Sequence, residues 1–405
     1  MAQRAKKGSV ARFALAAGLV VAACQHGRAP FATTAAADAP RARDAGTDAQ
    51  LLHVTPPPLP PQDAPGVCGR TVVPIALTPV NLYFIVDASG SMSTQIDSPD
   101  SNGGIQSSRF DAARIAIRDL LLTVGSRVSF GAALFPLNSS DPNDACAPGG
   151  EVFPTHPGDG VSYTKSATPG PELAGLLRIL GAHKPSGLTP TAVSIAAVKT
   201  DLLALPGKTY AFLLTDGAPN CDAAATCDAS TCTVNIEGSC GQPPSVNCCD
   251  PALGLYDARW CLDADPTVAA VKDLADSGIE TFIIGMPGTE AYANLLNRVA
   301  EAGGTARPSD PEYYAVEDST DLSTTLQSIG LSVAISCDIS LEQAPPDREQ
   351  VNVYFDGMVI PLDAQDGWTW TGDANLSIVG SSCEELQTGR IQQVQVIAGC
   401  PSVTR

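Results

Sequence analysis

Residues 81–92 read NLYFIVDASGSM, and they constrain the fold more than any other stretch. The apolar run Leu82–Val86 stops abruptly at Asp87, and Ser89 and Ser91 follow at alternate positions. A short apolar run closed by turn residues reads as a strand buried on both faces, the kind that parallel sheets use. A tight turn at the C-terminal end of such a strand lets the three oxygen-bearing side chains converge on one point. A carboxylate with two hydroxyls is hard-oxygen chemistry, suited to Mg²⁺, Mn²⁺ or Ca²⁺ and poor for zinc.

The pattern recurs at 210–220, YAFLLTDGAPN, a second buried strand ending in Asp216. Between the two, SGLTPT at 186–191 opens an apolar-periodic helix and offers Thr189. Helical spacing also marks Arg109–Val124, through Phe110, Ala113, Ile117, Leu120, Leu121 and Val124. It returns at 171–180, 265–276, 291–302 and 319–333, with strand-like runs at 127–135, 208–215, 279–286 and near Tyr314. Strands alternating with helices predict an α/β fold with a doubly wound, mostly parallel sheet. Such sheets bind ligands outside the carboxyl ends of their strands, where Asp87 and Asp216 both fall.

This strand and loop constellation resembles the von Willebrand factor A domain over about residues 78–334. All five liganding positions of that family's metal-ion-dependent adhesion site are filled. The resemblance implies a Rossmann-like fold. It also implies that Asp87, Ser89, Ser91 and Thr189 hold an ion directly or through water, with Asp216 acting mainly through water. Mg²⁺ is the expected ion, with Mn²⁺ or Ca²⁺ as alternatives. In the family the open coordination position captures a carboxylate, so the implied partner is a protein offering Asp or Glu, and the implied role is adhesin-like. The alternative is a structural subunit of a cell-envelope complex, its metal held in a permanent interface. No H-E-x-x-H or G-x-S-x-G motif and no paired general base beside the site appear, so no enzyme is expected.

The N-terminal segment sets the cellular expectation. Residues 1–12 are polar and basic, and Phe13–Ala23 is an 11-residue apolar run. That is too short for a helix crossing a bilayer core of about 30 Å, but it fits a signal-peptide core. It ends Val21-Ala22-Ala23-Cys24, which resembles a lipoprotein box with Cys24 as the acylated residue. Residues 1–23 are thus read as a lipoprotein signal peptide, and 24–66 as a lipid-anchored Ala/Pro-rich linker. Such a linker reaches about 35 Å as a coil and about 130 Å when extended. The expected location is the outer membrane, on its periplasmic or cell-surface face. A further resemblance is to the cysteine-rich surface adhesin lipoproteins of gliding bacteria.

The formal charge of the whole chain is −19, and because the leader carries Arg4, Lys6, Lys7 and Arg12 and no acid, the body carries −19 less those four positive charges, or −23. No basic face is visible, which argues against nucleic-acid binding. Thirteen cysteines include Cys24, and the other twelve read as a disulfide set in an exported chain. Seven of them, Cys221, Cys227, Cys232, Cys240, Cys248, Cys249 and Cys261, crowd an insertion at 217–264. That insertion lacks a clear apolar period, so disulfides are expected to replace a core there. An odd number requires at least one partner outside the insertion, from among Cys68, Cys146, Cys337, Cys383 and Cys400. In the resembled fold the chain ends lie together, which implies a Cys68–Cys337 pair. Cys383–Cys400 is expected within the C-terminal module, leaving Cys146 to pin the insertion.

The von Willebrand-like domain is expected to span 67–336. From 337 to 405 the period changes. The segments 350–362, 367–372, 375–380 and 390–400 alternate or run apolar without a helical period, so a small all-β module is expected. Asp356-Gly357 reads as a tight hairpin turn.

Overall fold

The computed structural model describes residues 71–76, 79–97, 107–137, 145–160, 168–238, 240–391 and 393–405. All belong to one compact unit, Pro58–Arg405. The expected signal peptide, Cys24, the linker and Cys68 lie outside the described residues.

Two short strands come first, β1 (Thr71–Val72) and β2 (Ile75–Ala76). An α/β run follows: β3 (Val80–Asp87), α1 (Arg109–Val124), β4 (Ser129–Phe135), β5 (Gly150–Pro157), α2 (Pro171–Ala182), α3 (Thr191–Leu203) and β6 (Lys208–Thr215). A long insertion carrying the short helix α4 (Thr233–Ile236) leads to α5 (Ala264–Asp276). Then come β7 (Glu280–Gly285), α6 (Ala293–Ala302), β8 (Tyr314–Ala315) and α7 (Ser319–Ala334). The chain continues through β9 (Asp338–Leu341), β10 (Val351–Phe355), β11 (Met358–Ile360), β12 (Gly367–Trp370), β13 (Asn375–Val379), α8 (Ser381–Gln387) and β14 (Val394–Ala398).

The central sheet has the order β5-β4-β3-β6-β7-β8, parallel throughout except for the antiparallel edge strand β5. The uninterrupted apolar run of β3 is explained by burial on both faces. Leu82, Phe84 and Val86 pack with α1, α2 and α7, while Tyr83 and Ile85 pack on the other face with α3, α5 and α6. Each such side chain contributes about 1.5–3 kcal/mol. The doubly wound α/β expectation is met.

The all-β part is a sandwich of two four-stranded sheets, β1-β14-β10-β11 and β12-β13-β9-β2. Its core includes Val351, Val353, Phe355, Trp368, Leu376, Ile378 and Val396. The buried Trp368 satisfies its indole N–H on the Ile360 carbonyl at 3.1 Å. Asp356 and Gly357 form the two-residue turn between β10 and β11, at φ of 47° and 85°, where glycine has no steric cost.

Two expectations need correction. The domain limits 67–336 and 337–405 do not hold, because β1 and β2 belong to the sandwich. Thr71 pairs with Ala398, and Ile75 pairs with Leu341. The doubly wound domain is therefore inserted into the sandwich, and two-residue strands carry too little periodicity to announce this. The all-β expectation for the C-terminal part is met, with one short helix, α8, following β13 directly. Finally, Cys337 is bonded to Cys383, which excludes both Cys68–Cys337 and Cys383–Cys400. The physical reason is placement. Cys383 rides on α8 beside β12 and β13, and Cys337 lies against β13 with its carbonyl accepting from the Ile378 N–H at 2.8 Å. Cys400 lies just beyond the end of β14, a strand of the other sheet, and is itself disulfide-bonded.

The insertion is cross-linked by Cys227–Cys261, Cys232–Cys249 and Cys240–Cys248, and Cys146–Cys221 ties it to the loop between β4 and β5. Closing a separation of 75 residues contributes about 4 kcal/mol in the chain-entropy account. Among the described residues, no helix is long and apolar enough to cross a membrane.

Candidate functional site

The carboxyl ends of β3 and β6 lie side by side because Val86 is in register with Leu214. Asp87 closes β3, and Asp216 follows the last residue of β6. Both are buried, at 0% and 2% exposure. The Thr215 hydroxyl donates to Asp87 Oδ2 at 2.7 Å, and the Ser89 N–H donates to Oδ1 at 2.8 Å. These two bonds fix the carboxylate at the strand end. The Ser89 and Ser91 hydroxyls are 3.0 Å apart, and Ser91 Oγ donates to Asp216 Oδ1 at 2.8 Å. Ser91 is exposed and marks the solvent side.

The 186–190 loop docks on this turn through its backbone. The Ser186 N–H donates to the Ala88 carbonyl at 2.8 Å, and the Gly90 N–H donates to the Gly187 carbonyl at 3.0 Å. Gly187 has φ of +88°, and a Cβ there would stand 2.8 Å from the Ala145 carbonyl oxygen, so the close approach needs glycine. The loop delivers Thr189, itself buried. The Thr189 N–H donates to Asn220 Oδ1 at 2.8 Å, and the Asn220 N–H donates back to the Thr189 carbonyl at 2.9 Å. The structure thus gathers Asp87, Ser89, Ser91 and Asp216 into one hydrogen-bonded row and seats the Thr189 loop against it.

Three participants were not singled out from sequence: Thr215, Asn220 and Arg109. Arg109 Nη1 donates to Asp216 Oδ2 at 2.6 Å across a separation of 107 residues. Its position is set by the Ser108 cap of α1, whose side chain accepts from the Asp111 N–H. The S-R-F-D start of a helix carries that cap signal, but only the fold brings the guanidinium to β6.

Burial, and then the Asp216 charge, push the Asp87 carboxyl up to about 7. Burial also raises Asp216, opposed by the hydrogen bonds from Arg109 and Ser91. Two buried carboxylates face a single guanidinium. An uncompensated buried charge costs several kcal/mol, so the site calls for a proton or a further cation. Its donors are all oxygen, two carboxylates and three hydroxyls, and this set fits a hard divalent ion.

The sheet order, the antiparallel edge strand and a polar site at the carboxyl ends of β3 and β6 define a von Willebrand A-like fold. No family model matches the chain, and no curated protein matches it. Among solved structures it is similar to the PilB minor pilin from Streptococcus sanguinis, at 17% identity and TM-score 0.41, covering 64% of this chain and 62% of that one. It is similar to the pilus adhesin SpaC from Lactobacillus rhamnosus GG, at 16% identity and TM-score 0.43, covering 81% and 40%. It is similar also to the vWF domain of the type V pili tip protein Mfa5 from Porphyromonas gingivalis, at 13% identity and TM-score 0.39, covering 64% and 96%. The chain spans less than two thirds of the pilin and of SpaC.

Proposed function

We propose that this is an exported binding protein that captures a carboxylate-bearing protein partner through a divalent ion held by Asp87, Ser89, Ser91, Thr189 and Asp216. The observation carrying this reading is the meeting of two buried carboxylates with serine and threonine hydroxyls at one edge of the sheet, open to solvent at Ser91. Mg²⁺ is the favoured ion, because a compact all-oxygen site with few charged ligands leaves coordination positions to water or to a partner. When bound, the ion supplies a positive centre for an incoming Asp or Glu. The chain's own groups do the rest. Thr215 and the Ser89 N–H orient Asp87, Asn220 seats the Thr189 loop, and Arg109 steadies Asp216. The disulfides suit an oxidising compartment outside the cytosol. Acylation at Cys24 would tether the chain to an outer membrane, with residues 24–66 as spacer.

The insertion supports partner choice in this reading. It is anchored through Cys221 and Asn220 beside Thr189, so it forms a collar next to the ion. The test is capture from envelope extract with wild type and Asp87→Ala, each with Mg²⁺ and with EDTA. Specific capture is expected with wild type and Mg²⁺ alone. Equal capture in all four arms would refute metal-dependent binding and favour a fixed structural subunit.

A further inference from the structure

The two ends of the cysteine-rich insertion meet at its base. The Asp263 N–H donates to the Pro219 carbonyl at 2.8 Å, and the Cys221 N–H donates to the Arg259 carbonyl at 2.8 Å. Where they meet lies a cavity of about 170 Å³ whose wall includes Asn220, Asp222, Asp263 and Pro266. Among the described residues lining it there is no Lys, Arg or His.

Asp263 is the notable member of this wall. It is only 6% exposed, and its Oδ1 is buried without a hydrogen-bond partner. It stands at the N-cap of α5, where a carboxylate ordinarily accepts from the first helical N–H groups, yet it makes no such bond. Asp222 brings a second carboxylate to the same cavity and is held in place by accepting from the Ala224 N–H at 2.8 Å. Burial, and then the Asp222 charge, push the Asp263 carboxyl up to about 6. A buried carboxylate with an unpartnered oxygen, beside another acid, is costly unless something positive joins it.

We infer that Asp222 and Asp263 form a second divalent-cation site, one that takes Ca²⁺ and clamps the base of the insertion. Ca²⁺ fits better than Mg²⁺. It accepts six to eight oxygens in flexible geometry, including monodentate or bidentate carboxylates and backbone carbonyls, whereas Mg²⁺ demands a near-ideal octahedron. The site shares no ligand with the strand-end site. It is nevertheless mechanically close to it, because Asn220 lies in the cavity wall and also bonds Thr189.

The test is calorimetric titration of the full chain with Ca²⁺, in four forms: wild type, Asp87→Ala, and Asp87→Ala combined with either Asp222→Asn or Asp263→Asn. Asp87→Ala is expected to retain one Ca²⁺ per chain, and its combination with Asp263→Asn none. Asp222→Asn is expected to weaken the retained Ca²⁺ at least tenfold. Ca²⁺ should also slow proteolytic cleavage within 222–262 in Asp87→Ala. Folded Asp87→Ala that binds no Ca²⁺ would overturn the inference. So would Ca²⁺ binding that is indifferent to both Asp222→Asn and Asp263→Asn. If Asp263→Asn does not fold, the more exposed Asp222→Asn decides the matter in the Asp87→Ala background. One Ca²⁺ in wild type that survives Asp87→Ala and is lost with Asp263→Asn would retain this site while removing the strand-end one.

Discussion

The doubly wound domain buries two aliphatic and aromatic layers against its sheet, whereas the fully buried cluster of the insertion is Cys232, Val234, Cys248, Cys249 and Cys261. Phe84 of the first region packs against Phe212 with ring centroids 5.3 Å apart. The second region has disulfides where the first has packing. The two halves of the proposed function therefore rest on different physical supports. The proposed ligand positions depend on strand register and survive as long as the sheet does. The proposed collar beside them depends on covalent cross-links and on whatever neutralises its acidic base.

Removing the cross-links should separate the two regions most clearly. Cys227→Ser with Cys232→Ser takes away two disulfides, each worth about 2–5 kcal/mol to a small cross-linked segment. The insertion is expected to become protease-sensitive, while circular dichroism of the sheet domain stays unchanged. Loss of the whole fold would show that the two regions are not independent. The converse change, Phe84→Ala, is expected to cost the domain about 3–5 kcal/mol in denaturant unfolding. The disulfides of the insertion should remain intact by non-reduced peptide mapping.

A smaller effect is expected at the site itself. Arg109→Met leaves Asp216 without its guanidinium and should destabilise the EDTA-treated chain by about 3 kcal/mol. Because the site becomes more negative, divalent affinity should rise, and titration of the variant with Mg²⁺ reads this directly. A fall in affinity would make Arg109 part of the ion's support.

The smallest effect concerns pH. Asp87, raised to about 7, stands above its unfolded value near 3.9. The folded chain therefore binds the proton more readily, and stability from this group falls as pH rises from about 4 through about 7. In EDTA, Tm is expected to be a few degrees higher at pH 5.5 than at pH 7.5. Mg²⁺ should raise Tm at pH 7.5 and do little at pH 5.5, because ion and proton compete for the same carboxylate.

Much of the first region was legible in the sequence. Fully buried parallel strands write continuous apolar runs such as 82–86 and 210–214, and the residue that ends each run is placed by that fact alone. Arg109 and Thr215 were not legible, because nothing local distinguishes a helix-start arginine or a strand threonine that meets a carboxylate more than a hundred residues away. The sandwich was half legible. Long alternating strands such as β10 announced themselves, while β1 and β2 exist only because edges of finished sheets accept them. The pairing of Cys337 with Cys383 was illegible for a related reason, since it turns on the α8 turn of helix that follows β13.

Residues at the carboxyl ends of β3 and β6 are proposed to hold a divalent ion. Isothermal titration of Mg²⁺ into wild type and Asp87→Ala at pH 7.5 tests it most directly, with circular dichroism confirming that both are folded. The expected result is one Mg²⁺ per wild-type chain and none for Asp87→Ala. Indistinguishable Mg²⁺ isotherms for the two folded proteins would contradict the claim.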